Sequence, residues 1–346
     1  MKKYIEHKIT KKKILFSTVL FSTMFIFYTG IISAGQVVDK IIAIVNGDII
    51  TLKDLNVAIR PYLQKISNSS YSFEEKDKIL TKFNYIIGIG HIVPHRVSGF
   101  SGGAKIVQPG VCGNITTGQT HWLSALYEGE EIMGKIDNPI RHEINTVGLK
   151  TGLKFIINTV QDGRGIVYKC FSGDPVKAFE EGCKAAKEVF GVSISEQADI
   201  VISDSYPADV NLWQASKGIY SADLALKREG TLILVTPCHE GVSDEHPEIV
   251  DIGYQSYEEI KRKVDDGMIK DLTLAAHLVH VGRVIRDKGK GILVSPGVDK
   301  ETTEKLGFYW AQNVQDALEL AFSMQNSNAS VIVSRNGGEI MPVVGK

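Results

Sequence analysis

The feature that most constrains the fold is an alternation of short apolar runs with longer amphipathic stretches in the second half of the chain. Residues 198–203 (ADIVIS), 230–236 (GTLILVT), 291–295 and 330–334 read as strands, because continuous apolar runs of this length suit strands buried on both faces. Between them, residues 212–227, 257–266, 269–287 and 314–324 read as helices. Strands separated by helices form a parallel sheet, so a doubly wound parallel-sheet domain is expected over residues 195–346. Ligands on such sheets sit beyond the carboxyl ends of the strands. Those ends are Asp204-Ser205-Tyr206-Pro207 and Pro237-Cys238-His239-Glu240-Gly241, expected to line one crevice. Upstream, residues 96–118 read mostly as loop, 155–160 as a strand and 175–190 as a helix, while 138–147 read as a helix entered through Asn138 and Pro139.

The remainder of the 346 residues is organised differently. Lysines 2, 3, 8 and 11–13 precede an uncharged apolar stretch at 14–32, followed by Ser33, Ala34 and Gly35. A basic region, an apolar core and small residues make residues 1–35 a signal peptide or an anchor, so the chain is expected to be exported or membrane-anchored, with a membrane partner only if the segment stays uncleaved. Residues 37–55 (VVDKIIAIVNGDIITLKDL) read as a hairpin turning at Asn46-Gly47-Asp48, then a helix near Leu52 capped by Thr51. Over residues 36–80 the sequence resembles the N-terminal region of SurA-type periplasmic chaperones. The polar run 67–78 suits a linker, which places a domain boundary near residue 80. With 39 basic and 40 acidic residues, the chain lacks the positive field that holds nucleic acid, so no nucleic-acid partner is expected. Four scattered cysteines without a CxxC pair exclude a disulfide scaffold.

Glycine is over-represented between residues 88 and 121 (GIGHIVPHRVSGFSGGAKIVQPGVCGNITTGQTH). The segment 99–105 has the look of a phosphate loop, but a Walker motif needs glycine before its lysine and Ser or Thr after it. Ala104 and Ile106 stand there instead, which excludes nucleotide hydrolysis of that type. Left over are Lys105 on glycine-rich backbone and His91, His95 and His121 nearby. Pro94 opposes an i, i+4 helical metal pair. By spacing alone, each histidine can be a hydrogen-bonded structural residue or part of a site, and no reaction is named.

The run GHIVPHRVSGFSGGAKIVQPGVCG, then TTGQTHW, NPIRHEI, ADIVISDSYPAD, LWQASKG and TPCHEG in order, closely resembles the nickel-dependent lactate racemase family, the nickel-pincer nucleotide enzymes. The resemblance implies an incomplete first α/β domain at 81–194, a C-terminal α/β domain at 195–346, and a nickel-pincer nucleotide as cofactor. It implies that Lys105 carries the cofactor through a thioamide, with Gly102 and Gly103 letting the backbone approach it, that His121 ligates nickel, and that His95 is one of two acid–base histidines. Lys217 matches a lysine near the substrate carboxylate, with Trp213 and Gln214 lining the substrate. The implied partners are a small 2-hydroxy acid such as lactate and the enzymes that build the cofactor. The implied reaction is racemisation or epimerisation by proton-coupled hydride transfer, and the family itself is cytoplasmic.

Two departures stand out. Where complete members carry a second catalytic histidine and anion-binding arginines, this chain has its signal and chaperone-like stretch, and Trp213 replaces a tyrosine. An inactive truncated or fused relative is therefore an alternative expectation, as is an exported chaperone-like binding protein. His91, His142, His239 and His246 read as structural or loop histidines, and His277 and His280 as a helix face.

Overall fold

The computed structural model describes residues 41–45, 48–51 and 86–345. The expected signal, the helix near Leu52 and the 67–78 linker lie outside the described residues. Residues 1–63 form one unit and residues 64–346 another. In the first, β1 (Ile41–Val45) pairs antiparallel with β2 (Asp48–Thr51), Val45 opposite Asp48, as Asn-Gly between apolar runs predicts. Among the described residues no helix is long and apolar enough to cross a membrane, and residues 14–32 are not among them.

The second unit begins with β3 (Ile86–His91), the short hairpin β4 (Pro94–His95) and β5 (Gly99–Phe100), and one 3-10 turn at Gly103–Ile106. Helices α1 (Asn114–Ser124) and α2 (Pro139–Lys150) follow. Asn138 caps α2, its Oδ1 accepting from the Arg141 N–H, with Pro139 in the first turn where no amide partner is needed. Then β6 (Leu153–Gln161) runs parallel to β3 and antiparallel to β7 (Val167–Gly173), and α3 (Lys177–Phe190) covers the sheet. Ile92, Phe100, Ile140, Ile144, Ile156 and Phe179 are at most 1% exposed and form this lobe's core.

The second lobe adds β8 (Gly191–Ile194), β9 (Ala198–Asp204), α4 (Leu212–Ala225), β10 (Leu226–Val235), α5 (Tyr257–Asp265), α6 (Leu272–Gly282), β11 (Lys290–Val294), β12 (Tyr309–Trp310), α7 (Val314–Met324), β13 (Val331–Ser334) and β14 (Met341–Val344). Five strands in the order β12-β11-β10-β9-β13 pair in parallel throughout. This is the doubly wound domain the alternation predicts. Val201, Leu232, Leu234 and Leu293 pack toward α4 and α6, while Ile200, Ile233 and Ile292 pack toward α7, which is why these strands read apolar at every position. The strand β14 returns to pair with β8.

Residues 96–118 are mostly turn and loop as read, but they also hold β5, the 3-10 turn and the start of α1, and glycines 88 and 90 upstream sit in β3, where Ile106 leaves little room for a side chain. The helix expected at 269–287 ends at Gly282 and continues as a π-helical turn at Arg283–Lys288. A Cβ at Gly282 would lie 2.1 Å from the Gln255 carbonyl oxygen, so this backbone packs too tightly for a larger residue. Strands β3, β7, β8, β12 and β14 are absent from the sequence reading, being short, glycine-bearing or mixed in polarity.

The two lobes are locked along a seam. Helix α1 lies against α6 so closely that a Cβ at Gly118 would be 3.1 Å from the Leu272 Cβ. Across it Arg283 donates to the Tyr127 and Ala125 carbonyls; beside it Arg96 donates to the same Tyr127 carbonyl within the first lobe, and within the second the Lys288 ammonium meets the Asp223 carboxylate at 2.9 Å. Arg96 and Asp223 are 5% and 6% exposed, so this charge cluster is buried.

Candidate functional site

A cavity of about 570 Å³ opens between the lobes. Its first wall is the hairpin β4–β5, which presents His95, together with His121 from α1. Two helical faces make the second wall. On α4, Asn211 caps the N-terminus and Trp213, Ser216, Lys217 and Tyr220 follow at three- and four-residue steps; on α6, Asp271 caps and Thr273, His277 and His280 follow likewise. The remaining wall is the end of β9 at Pro207 and Ala208 and the turn after β13 at Gly338 and Glu339.

The loop that carries Lys105 is held from inside. Arg141, 2% exposed, donates to the carbonyls of Ser98, Phe100 and Gly102 and lies 4.1 Å over the Phe179 ring, and burial lowers its pKa to about 10. The Gly103 N–H donates to Asn158 Oδ1 at 2.8 Å. Gly102 and Gly103 have φ of 76° and 58°, and Cβ atoms there would meet Ile92 and Phe179 at 2.8 Å. Their lack of side chains thus serves the packing of this turn against the core.

The imidazoles are neutral and their protons are assigned by hydrogen bonds. The Val97 N–H donates to His95 Nδ1 at 3.1 Å, which puts the ring proton on Nε2. His121 Nδ1 donates to the Thr117 carbonyl at 2.8 Å, which leaves a lone pair on Nε2. Burial first, then the charge of Lys105, His121, Lys217 and Arg141, holds His95 well below its ordinary pKa. Burial also lowers His121, against the Thr117 bond. Lys105 is half-buried and without a hydrogen-bond or ion-pair partner among the described residues; burial, Arg141 and Lys217 lower it to about 8. Lys217 is lowered by desolvation, with Glu339 opposing, and burial raises Glu339 itself.

The structure therefore brings His95, His121, Trp213, Gln214 and Lys217 to one cavity, and places Lys105 where its charge acts on both histidines. The two strand ends expected to share a crevice are hydrogen-bonded neighbours, the Cys238 N–H donating to the Asp209 carbonyl and the Glu240 N–H to the Val210 carbonyl, but only the first lines the cavity, through Pro207, and residues 237–241 do not. His277 and His280 are more than a helix face. They are 6% and 2% exposed, His277 stacks 3.9 Å from Trp213 between the hydroxyls of Tyr220 and Tyr254, and His280 Nε2 meets Ser124 Oγ. His91 also lines the cavity, while His142 is exposed beside Asp137. Tyr220, Thr273 and Glu339 escape the sequence reading. The i, i+3 histidine pair on a helix is a signal that could have found this wall; Glu339 reaches it only through tertiary folding.

The buried histidines make the chain acid-sensitive. Burial lowers His277 to about 3 and holds His95 and His280 well below 6.5. In the unfolded chain these rings bind protons near pH 6.5, so the stabilising difference is complete above that value and is lost progressively as pH falls toward about 3. The expected result is an unfolding midpoint that drops between pH 7 and 5, with a shallower drop in His277→Gln, as measured by thermal denaturation.

Comparison with known proteins decides the family. The family models for the lactate racemase N-terminal domain and the lactate racemase C-terminal domain match residues 75–134 and 194–342. The chain belongs to the lactate racemase family. Lactate racemase from Thermoanaerobacterium thermosaccharolyticum is 26% identical over 278 residues, covering 77% of this chain and 63% of that protein. Lactate racemase from Lactiplantibacillus plantarum is 28% identical over 273 residues, covering 75% of this chain and 62% of that protein. The chain thus spans less than two thirds of the length of these relatives. The fold is shared with the lactate racemase apoprotein from T. thermosaccharolyticum at a TM-score of 0.68 and 24% identity, over 77% of this chain and 64% of that one. It is also shared with a structural-genomics protein from Thermotoga maritima at 0.60 and 20%, over 82% and 73%. The N-terminal racemase match reaches back to residue 75, upstream of the boundary read at residue 80.

Proposed function

We propose that the chain is a racemase or epimerase of a small 2-hydroxy acid such as lactate, using a nickel-pincer nucleotide. The observation that carries this reading is the convergence of His95, His121 and Lys217 on one cavity, with the charge of Lys105 acting on both histidines, in a member of the lactate racemase family. Among the described residues no cluster of three His, Cys, Asp or Glu can hold a metal, so nickel would need donors from a bound group in addition to one imidazole. The residues present fit such a group. Lys105 offers a partnerless amine for covalent attachment, and His121 offers Nε2, its other nitrogen fixed by Thr117 in the pattern usual for a metal ligand. When bound, the cofactor supplies a reversible hydride acceptor, which no side chain can provide. Lys217 binds the substrate carboxylate as a point charge, and Trp213 and Gln214 bound the substrate. His95 exchanges the hydroxyl proton at Nε2; to accept it there, the ring must first release the Val97 bond and move its own proton to Nδ1. Burial, and after it the charge of the nearby lysines, keeps His95 neutral, as a base must be.

The test is to co-express the full-length chain with the cofactor-making enzymes and to measure its intact mass and nickel content. An adduct on the Lys105 peptide and bound nickel that is lost in His121→Ala are expected; a chain without adduct or nickel overturns the reading. A second reading, an inactive relative, is favoured by the chaperone-like stretch at residues 36–80 that directly precedes the racemase-like region. It predicts an adduct without racemisation. The basic and apolar residues at 1–35 support export or anchoring, and the chaperone-like stretch at 36–80 supports a separate N-terminal segment.

A further inference from the structure

We propose that Tyr220 holds the C2 oxygen of the bound acid as a hydrogen-bond donor, and that Tyr254, from outside the cavity, fixes that polarity through the His277 ring between them. The inference rests on the reading of the ligand as a 2-hydroxy acid and adds to it a contact on the C2 oxygen from the wall that does not carry His95.

The three side chains form a run of hydrogen bonds. His277 Nε2 lies 3.3 Å from the Tyr254 hydroxyl and Nδ1 lies 3.3 Å from the Tyr220 hydroxyl. Tyr220 and His277 line the cavity, whereas Tyr254, 1% exposed, does not. Burial keeps the imidazole neutral and both phenols protonated. A neutral imidazole donates from one nitrogen and accepts at the other, so one tyrosine donates to it and the other accepts from it. Tyr254 decides which. Among the described residues its hydroxyl has no partner but Nε2, and a buried O–H left without an acceptor is costly. Tyr254 therefore donates to Nε2, the ring proton sits on Nδ1, and Nδ1–H donates to the Tyr220 oxygen.

Tyr220 then has its own proton to give. Within the protein the Ser216 hydroxyl can take it, since Ser216 spends its proton on the Trp213 carbonyl at 2.6 Å and has only lone pairs left. Ser216 also lines the cavity, so a ligand oxygen placed there competes for the same proton. On α4, Lys217 precedes Tyr220 by three residues, which puts both on one helix face with Cβ atoms about 5–6 Å apart. A carboxylate on Lys217 thus sets the neighbouring C2 oxygen toward Tyr220. As a hydroxyl, that oxygen donates to His95 and accepts from Tyr220; as a ketone, it still accepts from Tyr220. An oxygen that accepts in both forms suits a fixed donor, whereas a tyrosine turned to accept would repel the keto form.

The experiment titrates the full-length chain, made without the cofactor enzymes, with lactate, pyruvate and propionate, which lacks the C2 oxygen. Saturation-transfer NMR reads binding, and long-range 1H–15N spectra of the labelled chain read the His277 tautomer. The expected results are the Nδ1–H tautomer, and lactate and pyruvate each bound about 2- to 10-fold more tightly than propionate, as one hydrogen bond supplies. Tyr220→Phe abolishes that preference. Tyr254→Phe, which leaves the cavity lining unchanged, yields a mixture of tautomers and a smaller preference. An Nε2–H tautomer in the unaltered chain, propionate bound as tightly as the other two, binding of none of the three, or a preference that survives Tyr220→Phe overturns the proposal. If a variant fails to fold, the tautomer and the preference of the unaltered chain decide. Nickel content and the Lys105 adduct are read on the cofactor-loaded chain and enter neither measurement, so the racemase reading fails separately.

Discussion

His95→Asn, tested on the cofactor-loaded full-length chain, loses about 10²–10⁴-fold in racemisation rate, the range expected when a positioned acid–base group is removed. Asparagine is chosen because its Oδ1 falls where Nδ1 lies, so the Val97 N–H keeps an acceptor and the β4–β5 hairpin keeps its local bond. The unfolding midpoint should therefore stay near that of the unaltered chain while turnover collapses. Because burial and the nearby cations hold His95 well below its ordinary pKa, the unaltered enzyme should lose no activity to protonation of this ring between pH 8 and 6. A variant with near-normal turnover would remove His95 from the chemistry.

Asp223→Ala costs about 3–5 kcal/mol of stability, the cost of stranding a buried charge. The Lys288 and Asp223 side chains are only 11% and 8% exposed, and removal of the carboxylate leaves Lys288 without its counter-ion and Arg96 without its chief nearby anion. Urea denaturation measures the loss, and a change under about 1 kcal/mol would show that the cluster is neutralised by other means. Adding Lys288→Met should recover part of the loss, since replacing both members of a buried pair with apolar groups is often neutral.

Much of the second lobe was legible because burial on both faces writes an unbroken apolar run, as in Leu232-Ile233-Leu234, and the intervening helices carry their own caps at Asn211, Ser256, Asp271 and Asn313. The first lobe was harder. Its strand β3 was not read at all, because glycines 88 and 90 interrupt the apolar run, yet they serve close packing against Ile106, a tertiary demand with no local signature. In the candidate site, motif resemblance singles out Lys105, His121 and Lys217, and the structure brings His121 and Lys217 to one cavity with the charge of Lys105 acting on His121. Glu339 and the buried His277–Trp213 stack were not, since they meet only when α6 and the turn after β13 come to α4.

The seam between α1 and α6 has a kinetic consequence. With Gly118 pressed on Leu272 and Arg283 of the second lobe donating to the Ala125 and Tyr127 carbonyls of the first, the two walls are held together along this seam. Walls held in this way would admit a small ligand by side-chain rotation, on the picosecond-to-nanosecond scale, rather than by domain opening over microseconds to milliseconds. If the chain acts on a small hydroxy acid as proposed, passage would then be faster than turnover, and the chemical step, not release, would set the pace.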